Sequence, residues 1–503
     1  MRGIPSLIND IRKKVFSEVA KMAYSGNDYS KAEDLPFIIV PGDQPLHRES
    51  IFLERAIAGE RVRLAMGLSV RSVQTRSLIT EGMDHAAIAQ QYYEPPLVNV
   101  IPYACHVCPT NQYKVTVGCQ NCLAQSCQRV CPREAISFKN GRSFIDTDKC
   151  IKCGKCAAAC PYNAIIHLQR PCQAACGMDA IGMDEQGRAL INQDKCVSCG
   201  QCLVSCPFGA IVVKSQIYQV IRSIMQGDEV IAIMAPAFSG QFGKDVTVGK
   251  LVSAMKVLGF QQVVEVAIGA DICAVEEARD FVEKVPSQQP FMATSCCPAW
   301  HAMVHKLYPA QAKNISMTLT PMVYTARMLK KEHPNAKIVF VGPCAAKKLE
   351  AIRENIRSDV DFVLTFEELE GMFAAKEVDF EALEESETLN KGTAAGRGFA
   401  VAGGVAQAVV DIIHETHPEM QIKVANAEGL RDCRKLMTMA KAGKYDGYLL
   451  EGMACPGGCI AGAGTLLSLD QAQKAVAQAQ KQATKKNPLE SEFSEMAEEL
   501  NEA

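Results

Sequence analysis

Ala293-Thr294-Ser295-Cys296-Cys297-Pro298-Ala299-Trp300 sets two adjacent thiols between small polar residues and a proline, and ends on the only tryptophan of the chain. Adjacent cysteines cannot both comfortably ligate one metal atom, so the pair implies two different tasks. Two later stretches carry matching chemistry: Gly342-Pro343-Cys344-Ala345-Ala346-Lys347-Lys348-Leu349-Glu350 and Glu451-Gly452-Met453-Ala454-Cys455-Pro456-Gly457-Gly458-Cys459. Working outward, the apolar runs at 230–234, 263–268, 338–341 and 448–450 read as buried strands. Helical patterns at 248–257, 275–285, 321–331, 404–414 and 430–442 lie between them. Alternation of this kind predicts α/β lobes with ligand loops at the strand ends.

At 503 residues the chain exceeds a single core and calls for several domains. Its 48% hydrophobic and 22% charged residues are those of an ordinary globular protein, and a net charge of −3 gives no argument for nucleic acid or an anionic membrane. No apolar run of about 18 residues suggests a transmembrane segment. The first 24 residues form an amphipathic pattern containing Arg12, Lys13 and Lys14, without the apolar core and cleavage site of a signal peptide. Cysteine is the outlier, at 23 residues. A chain this long needs no disulfide staples, so reduced thiolates and a cytoplasmic setting are expected.

Residues 105–213 hold 16 of these cysteines. Cys150, Cys153, Cys156 and Cys160, and again Cys196, Cys199, Cys202 and Cys206, follow the C-x2-C-x2-C-x3-C-P pattern of bacterial ferredoxins. Cys119, Cys122, Cys127 and Cys131 repeat it with two extra loop residues. Zinc is the rival reading, and the Cys-Pro ending, repeated three times, argues against it. Cys131-Pro-Arg-Glu-Ala-Ile, Cys160-Pro-Tyr-Asn-Ala-Ile, Cys176-Gly-Met-Asp-Ala-Ile and Cys206-Pro-Phe-Gly-Ala-Ile are four copies of one half-unit. The third copy has only Cys172 and Cys176 nearby, and Cys105 and Cys108 complete it. Because the fourth cysteine of each ferredoxin motif serves the neighbouring cluster, four 4Fe–4S clusters are expected. Their ligands are Cys119, Cys122, Cys127 with Cys160; Cys150, Cys153, Cys156 with Cys131; Cys196, Cys199, Cys202 with Cys176; and Cys105, Cys108, Cys172 with Cys206. The last set is split by a whole ferredoxin-like unit. The alternatives are that Cys105 and Cys108 bind nothing, or bind zinc with His106.

Together the loops at 293–300, 342–350 and 451–459 resemble, in order and approximate spacing, the three signature motifs of the iron-only (FeFe) hydrogenases. The resemblance covers about 216–465, more loosely the cysteine block. It implies a two-lobed α/β catalytic domain holding the H-cluster: a 4Fe–4S part plus a two-iron subcluster with CO, cyanide and azadithiolate. It implies Cys297, Cys344, Cys455 and Cys459 as ligands, Cys459 bridging to the two-iron unit. The Gly457-Gly458 pair would let backbone approach the cluster. Cys296 would pass protons, Lys347 would hold a cyanide ligand, and Met453 with Ala235, Pro236 and Ala237 would pack around the unit. A proton path would run through Glu277 and Asp280, three apart on one helix, with Thr320 as intervening hydroxyl; either Asp280 or Thr320 reads equally well as a surface or capping residue. Gly342, where the family commonly has methionine, and Thr465-Leu466 after the third motif resemble a divergent branch often called group B. The implied activity is reversible interconversion of dihydrogen with protons and electrons. The implied partners are a ferredoxin or similar electron carrier and the hydrogenase maturation proteins. A hydrogen or redox sensor, and an iron–sulfur assembly protein without the two-iron unit, are the competing readings.

The expected architecture is therefore multidomain α/β. A helical N-terminal region (1–100) precedes two bacterial ferredoxin-like (α+β) domains (101–215), one of them (about 117–168) inserted in the other. The hydrogenase catalytic domain (216–465) and a charged, solvated helical tail (466–503) follow. Cys273 and Cys433 have no role beyond burial.

Overall fold

Val230–Met234 is apolar at every position because both its faces are covered. In the computed structural model, which describes residues 3–86, 95–354, 356–386 and 388–501, this strand lies inside a four-stranded parallel sheet. The order is Gln262–Glu265, Val230–Met234, Lys337–Gly342, Phe362–Thr365. Val230, Ala232 and Met234 belong to one apolar core with Leu251, Met255 and Phe366; Ile231 and Ile233 belong to another with Ala274, Met322 and Val409. A second parallel sheet orders Met292–Ala293, Tyr448–Met453 and Lys423–Glu428. Parallel strands need covering crossovers, and the helices Val248–Leu258, Ala267–Lys284, Pro321–Glu332, Gly404–Thr416 and Leu430–Lys441 supply them.

Several expectations need correction. The strand placed at 263–268 ends at Glu265, and Ala267 already opens the helix Ala267–Lys284, eight residues before the expected start at 275. A fully buried strand and a fully buried helix both read as unbroken apolar sequence, so periodicity could not mark the change. Met292–Ala293, Phe362–Thr365 and Lys423–Glu428 were not anticipated; two of them are short or polar, and Lys423–Glu428 is an exposed edge strand. The tail is solvated on one face only. In the helix Leu469–Gln482, Ala472 and Val476 are fully buried, and farther on so are Ala497 and Leu500. Its Gln- and Lys-rich surface hides a narrow stripe of small apolar residues one turn apart.

The N-terminal region is helical where described. Leu7–Tyr24 is capped by Ser6 and packs on the helix Phe366–Ala375, with Arg12–Glu367 at 3.3 Å and Lys13–Glu370 at 2.8 Å. Ile51–Ala65 follows the second expected pattern. Part of the expected region, residues 87–94, lies outside the described residues. The boundary at 100 falls inside a strand pair, because Val98–Val100 pairs antiparallel with Ile211–Val213. Within that pair a second one is nested, Gln112–Val115 with Ile165–Leu168. Two hairpins complete the block, Ile136–Lys139 with Arg142–Ile145 and Ile181–Met183 with Ala189–Ile191. Among the described residues no helix is long and apolar enough to cross a membrane.

Candidate metal centre

Four loops leave the carboxyl ends of parallel strands and converge. Ala235-Pro236 follows Val230–Met234, Ser295–Cys297 follows Met292–Ala293, Pro343-Cys344 follows Lys337–Gly342, and Ala454–Cys459 follows Tyr448–Met453. Such strand ends are where open α/β sheets place ligands. The loops line a cavity bounded by Cys296, Cys297, Cys344, Cys455 and Cys459, with Lys347, Met453, Ala235, Pro236 and Ala237. Trp300 fixes the first loop to the third. Its indole N–H donates to Thr294 O at 3.1 Å, and its ring packs where a Cβ on Gly452 would lie 2.3 Å away. Gly342 leaves no vacancy at the position where the family carries methionine: the Phe340 ring sits 2.6 Å from where its Cβ would be and lines the cavity. The Gly457-Gly458 pair answers to protein packing, since added Cβ atoms would meet Leu469 at 2.4 Å and Ala402 N at 2.5 Å.

The donors suit an iron–sulfur cluster. The sulfurs surround a space rather than a point; among the described residues no three His, Cys, Asp or Glu group as they would around a single metal ion. Burial pushes the Cys344 thiol up to about 12 and the Cys459 thiol higher still. Iron must therefore displace protons on binding, and its positive charge offsets the cost of a buried thiolate. Cys296 is also pushed well up, by burial and then by the Glu277 carboxylate, so it stands as a protonated thiol beside the cavity.

Glu277 is fully buried on Ala267–Lys284. Ser295 N–H donates to its Oε1 at 3.0 Å and the Ser295 hydroxyl stands 3.3 Å from the same oxygen, while its Oε2 has no hydrogen-bond partner among the described residues. Burial pushes this carboxyl up to about 7, against the Ser295 hydrogen bonds. Asp280 lies farther out on the same helix, paired with Lys284 at 2.8 Å. Thr320 is not brought to Glu277: its hydroxyl donates to Glu350 and accepts from Lys347 Nζ at 3.1 Å. Lys347 Nζ also pairs with Glu350 Oε2 at 2.6 Å. Burial works against the Lys347 charge, but the Glu350 carboxylate more than offsets it and holds the ammonium above its ordinary range. Sequence reasoning gave Glu350 and Ser295 no role, although both stand inside the quoted motifs. Cys273 and Cys433 are fully buried and do not line the cavity.

In the cysteine block, Cys105, Cys108, Cys172 and Cys206 line one small cavity, although Cys108 and Cys172 flank the nested strand pair. Cys131, Cys150, Cys153 and Cys156 line another. The backbone repeats with the half-units. Val107, Asn121, Lys152 and Ser198, each just before the second cysteine of a C-x2-C pair, all have φ between 49° and 59°. Glu134, Asn163, Asp179 and Gly209, each three residues past the last cysteine of a half-unit, have φ between 50° and 58°. A β-branched residue such as Val107 adopts this region only under strong constraint, so Cys105-His106-Val107-Cys108 shares the geometry of the complete motifs. Backbone N–H groups point at the sulfurs, among them Ala189 to Cys105 and Ser143 to Cys119, each at 3.4 Å.

Cysteine cradles of this form, leading inward to a sulfur-lined cavity between two parallel sheets, define an iron–sulfur protein. The chain belongs to the iron-only hydrogenase family. Its residues 228–463 match the family described as iron only hydrogenase large subunit, C-terminal domain, and residues 144–166 and 189–212 match the 4Fe-4S binding domain. It is 31% identical to iron hydrogenase 1 of Clostridium pasteurianum over 66% of this chain and 67% of that one. It is likewise 31% identical to the periplasmic iron hydrogenase large subunit of Nitratidesulfovibrio vulgaris, over 64% of this chain and 85% of that one. A probable cytosolic Fe-S cluster assembly factor of Aedes aegypti is 26% identical over 46% of this chain and 59% of that one.

Proposed function

We propose that this chain is a hydrogenase that interconverts dihydrogen with two protons and two electrons. The observation that carries this reading is Cys296. It lines the cavity beside the set Cys297, Cys344, Cys455 and Cys459, which already suffices for a four-iron cluster, and it is joined there by buried Lys347 and by Met453. A plain 4Fe–4S site, or an assembly factor without a two-iron unit, has no use for these three residues.

The bound H-cluster supplies the site at which dihydrogen is split or formed and an adjoining four-iron part that carries the electrons. Cys297, Cys344, Cys455 and Cys459 would hold the four-iron part, and Cys459 would also hold the two-iron unit. Cys296, a thiol lining the cavity, would hold the proton exchanged at that unit. Glu277 is the next acceptor, its unpartnered Oε2 available and its carboxyl poised near neutrality. Asp280, nearer the surface, completes the path. Lys347 would donate to a cyanide ligand, aimed by Thr320 and Glu350 in a positioning role. Ala235, Pro236, Ala237 and Met453 exclude water.

Electrons arrive through four further 4Fe–4S clusters in two ferredoxin-like domains, one of about 117–168 inserted between Cys108 and Cys172 of the other. A long insertion at a surface loop costs little, since closure entropy rises only logarithmically with length. The partners are a ferredoxin-like carrier and the maturation proteins, in the cytoplasm. The test is anaerobic preparation with and without the maturation proteins. The matured protein should show infrared bands of CO and cyanide and turn over hydrogen in both directions, and the other should do neither. Matured protein without bands or turnover would overturn the reading.

A further inference from the structure

The loop Cys196–Cys202, which carries three ligands of the innermost ferredoxin-like cluster, is pressed against the loops of the buried cavity. A Cβ on Gly200 would lie 2.5 Å from the Ala463 Cβ and 3.3 Å from the Ala345 Cβ. Glycine is what lets this loop touch the second- and third-motif segments together. Cys199 lines the same cavity as Cys344, Cys455 and Cys459. At the contact, Gln201 Nε2 donates to Cys455 Sγ at 3.1 Å. The remaining contacts make this junction rigid. Lys306 Nζ donates to the carbonyls of Asp194 at 2.6 Å and Cys196 at 2.9 Å, and Arg434 Nη1 reaches Gly177 O at 3.0 Å and Asp179 Oδ2 at 2.6 Å.

We propose that Gln201 is a positioning residue that sets the reduction potential of the four-iron cluster held by Cys297, Cys344, Cys455 and Cys459. It acts from within the loop that holds the neighbouring cluster, by donating an amide N–H to a ligand sulfur. The proposal rests on the reading of those four cysteines as cluster ligands, and not on hydrogen turnover. Reduction adds one electron, taken from the reduced neighbouring cluster, to a centre already negative at its sulfurs. No atom or proton crosses the contact. A donor aimed at one sulfur stabilises the more negative state and raises the potential. In a cavity lined mostly by apolar side chains and sulfur, the low local dielectric strengthens that effect. Because the donor belongs to the other cluster's loop, the same bond fixes the distance the electron crosses.

The experiment uses the full chain carrying its iron–sulfur clusters, made without the maturation proteins, and follows each cluster by EPR during a redox titration. In Gln201→Leu the reduced-to-oxidised ratio of the buried cluster at a fixed potential should fall about three- to tenfold; tenfold is about 59 mV for a one-electron couple. Gln201→Glu, which keeps the shape but replaces the donor by an acceptor, should shift the same cluster in the same direction and farther. The outer clusters' midpoints and the total iron should not change. Wild-type midpoints in both variants at full iron content would overturn the proposal, and so would an equal shift of every cluster. Absence of iron from the buried site in the wild-type chain would instead remove the ligand reading beneath it.

Discussion

Cys150, Cys153 and Cys156 stand within one short loop, whereas Cys297, Cys344 and Cys459 come from the ends of strands in two different sheets. The contrast extends to what surrounds them. The nested unit of the cysteine block has a core of only Cys127, Ile136, Ile145, Cys156 and Ile165, two of which are themselves expected ligands. Cys153 and its neighbours Lys152 and Lys155 are exposed. The buried cavity is walled instead by two extensive apolar cores. The first region has little hydrophobic core of its own, and the second has a large one. Folding should therefore depend on iron in one region and hardly at all in the other.

The sharpest way to separate the regions is chemical. Cys296→Ala should lower turnover by about 10²- to 10⁴-fold, the usual worth of a positioned proton donor, while the CO and cyanide infrared bands persist. Loss of the bands along with activity would make Cys296 structural. Next in size is iron removal. A chelated chain should lose hydrogen-exchange protection across 112–168 while the strands Val230–Met234 and Lys337–Gly342 stay protected; uniform loss would erase the distinction. Replacing Cys105 and Cys108 together by alanine should remove about four of about 22 iron atoms per chain, one cubane of five plus the two-iron unit, and leave the infrared bands in place. Full iron retention would break the split-ligand assignment.

Smaller effects refine the picture. Glu350→Ala strands the buried Lys347 ammonium and should cost about 3 kcal/mol in denaturant unfolding of the catalytic lobes, with Glu350→Gln costing less. An unchanged midpoint would mean that water replaces the pair. At the outer end, Arg129, Arg133, Lys149, Lys152 and Lys155 are exposed around Cys131, Cys150 and Cys153, with only Glu134, Asp146 and Asp148 nearby as acids. Lys152→Glu with Lys155→Glu should raise KM for an acidic protein carrier a few-fold at low salt, less at high salt. Activity with a small dye should be unaffected, and equal loss with both donors would point to cluster damage.

The sequence was enough for whatever depends on local spacing. C-x2-C loops bend one way because cluster ligation and left-handed backbone demand it, so Cys119, Cys150 and Cys196 announced their motifs, and the count of half-units led to Cys105 and Cys108. Val230–Met234 was legible because a strand covered on both faces must be apolar throughout. Thr320, Ser295, Glu350 and Gln201 were decided elsewhere. Each is an ordinary polar residue whose meaning lies in the partner that folding brings to it: Lys347, Glu277, Thr320 and the Cys455 sulfur. Hydrogen bonds between residues distant in sequence leave no periodicity behind. Only the packing of two sheets, closed around Trp300 and Gly200, determines which carboxylate meets which donor inside a space too apolar to leave either alone.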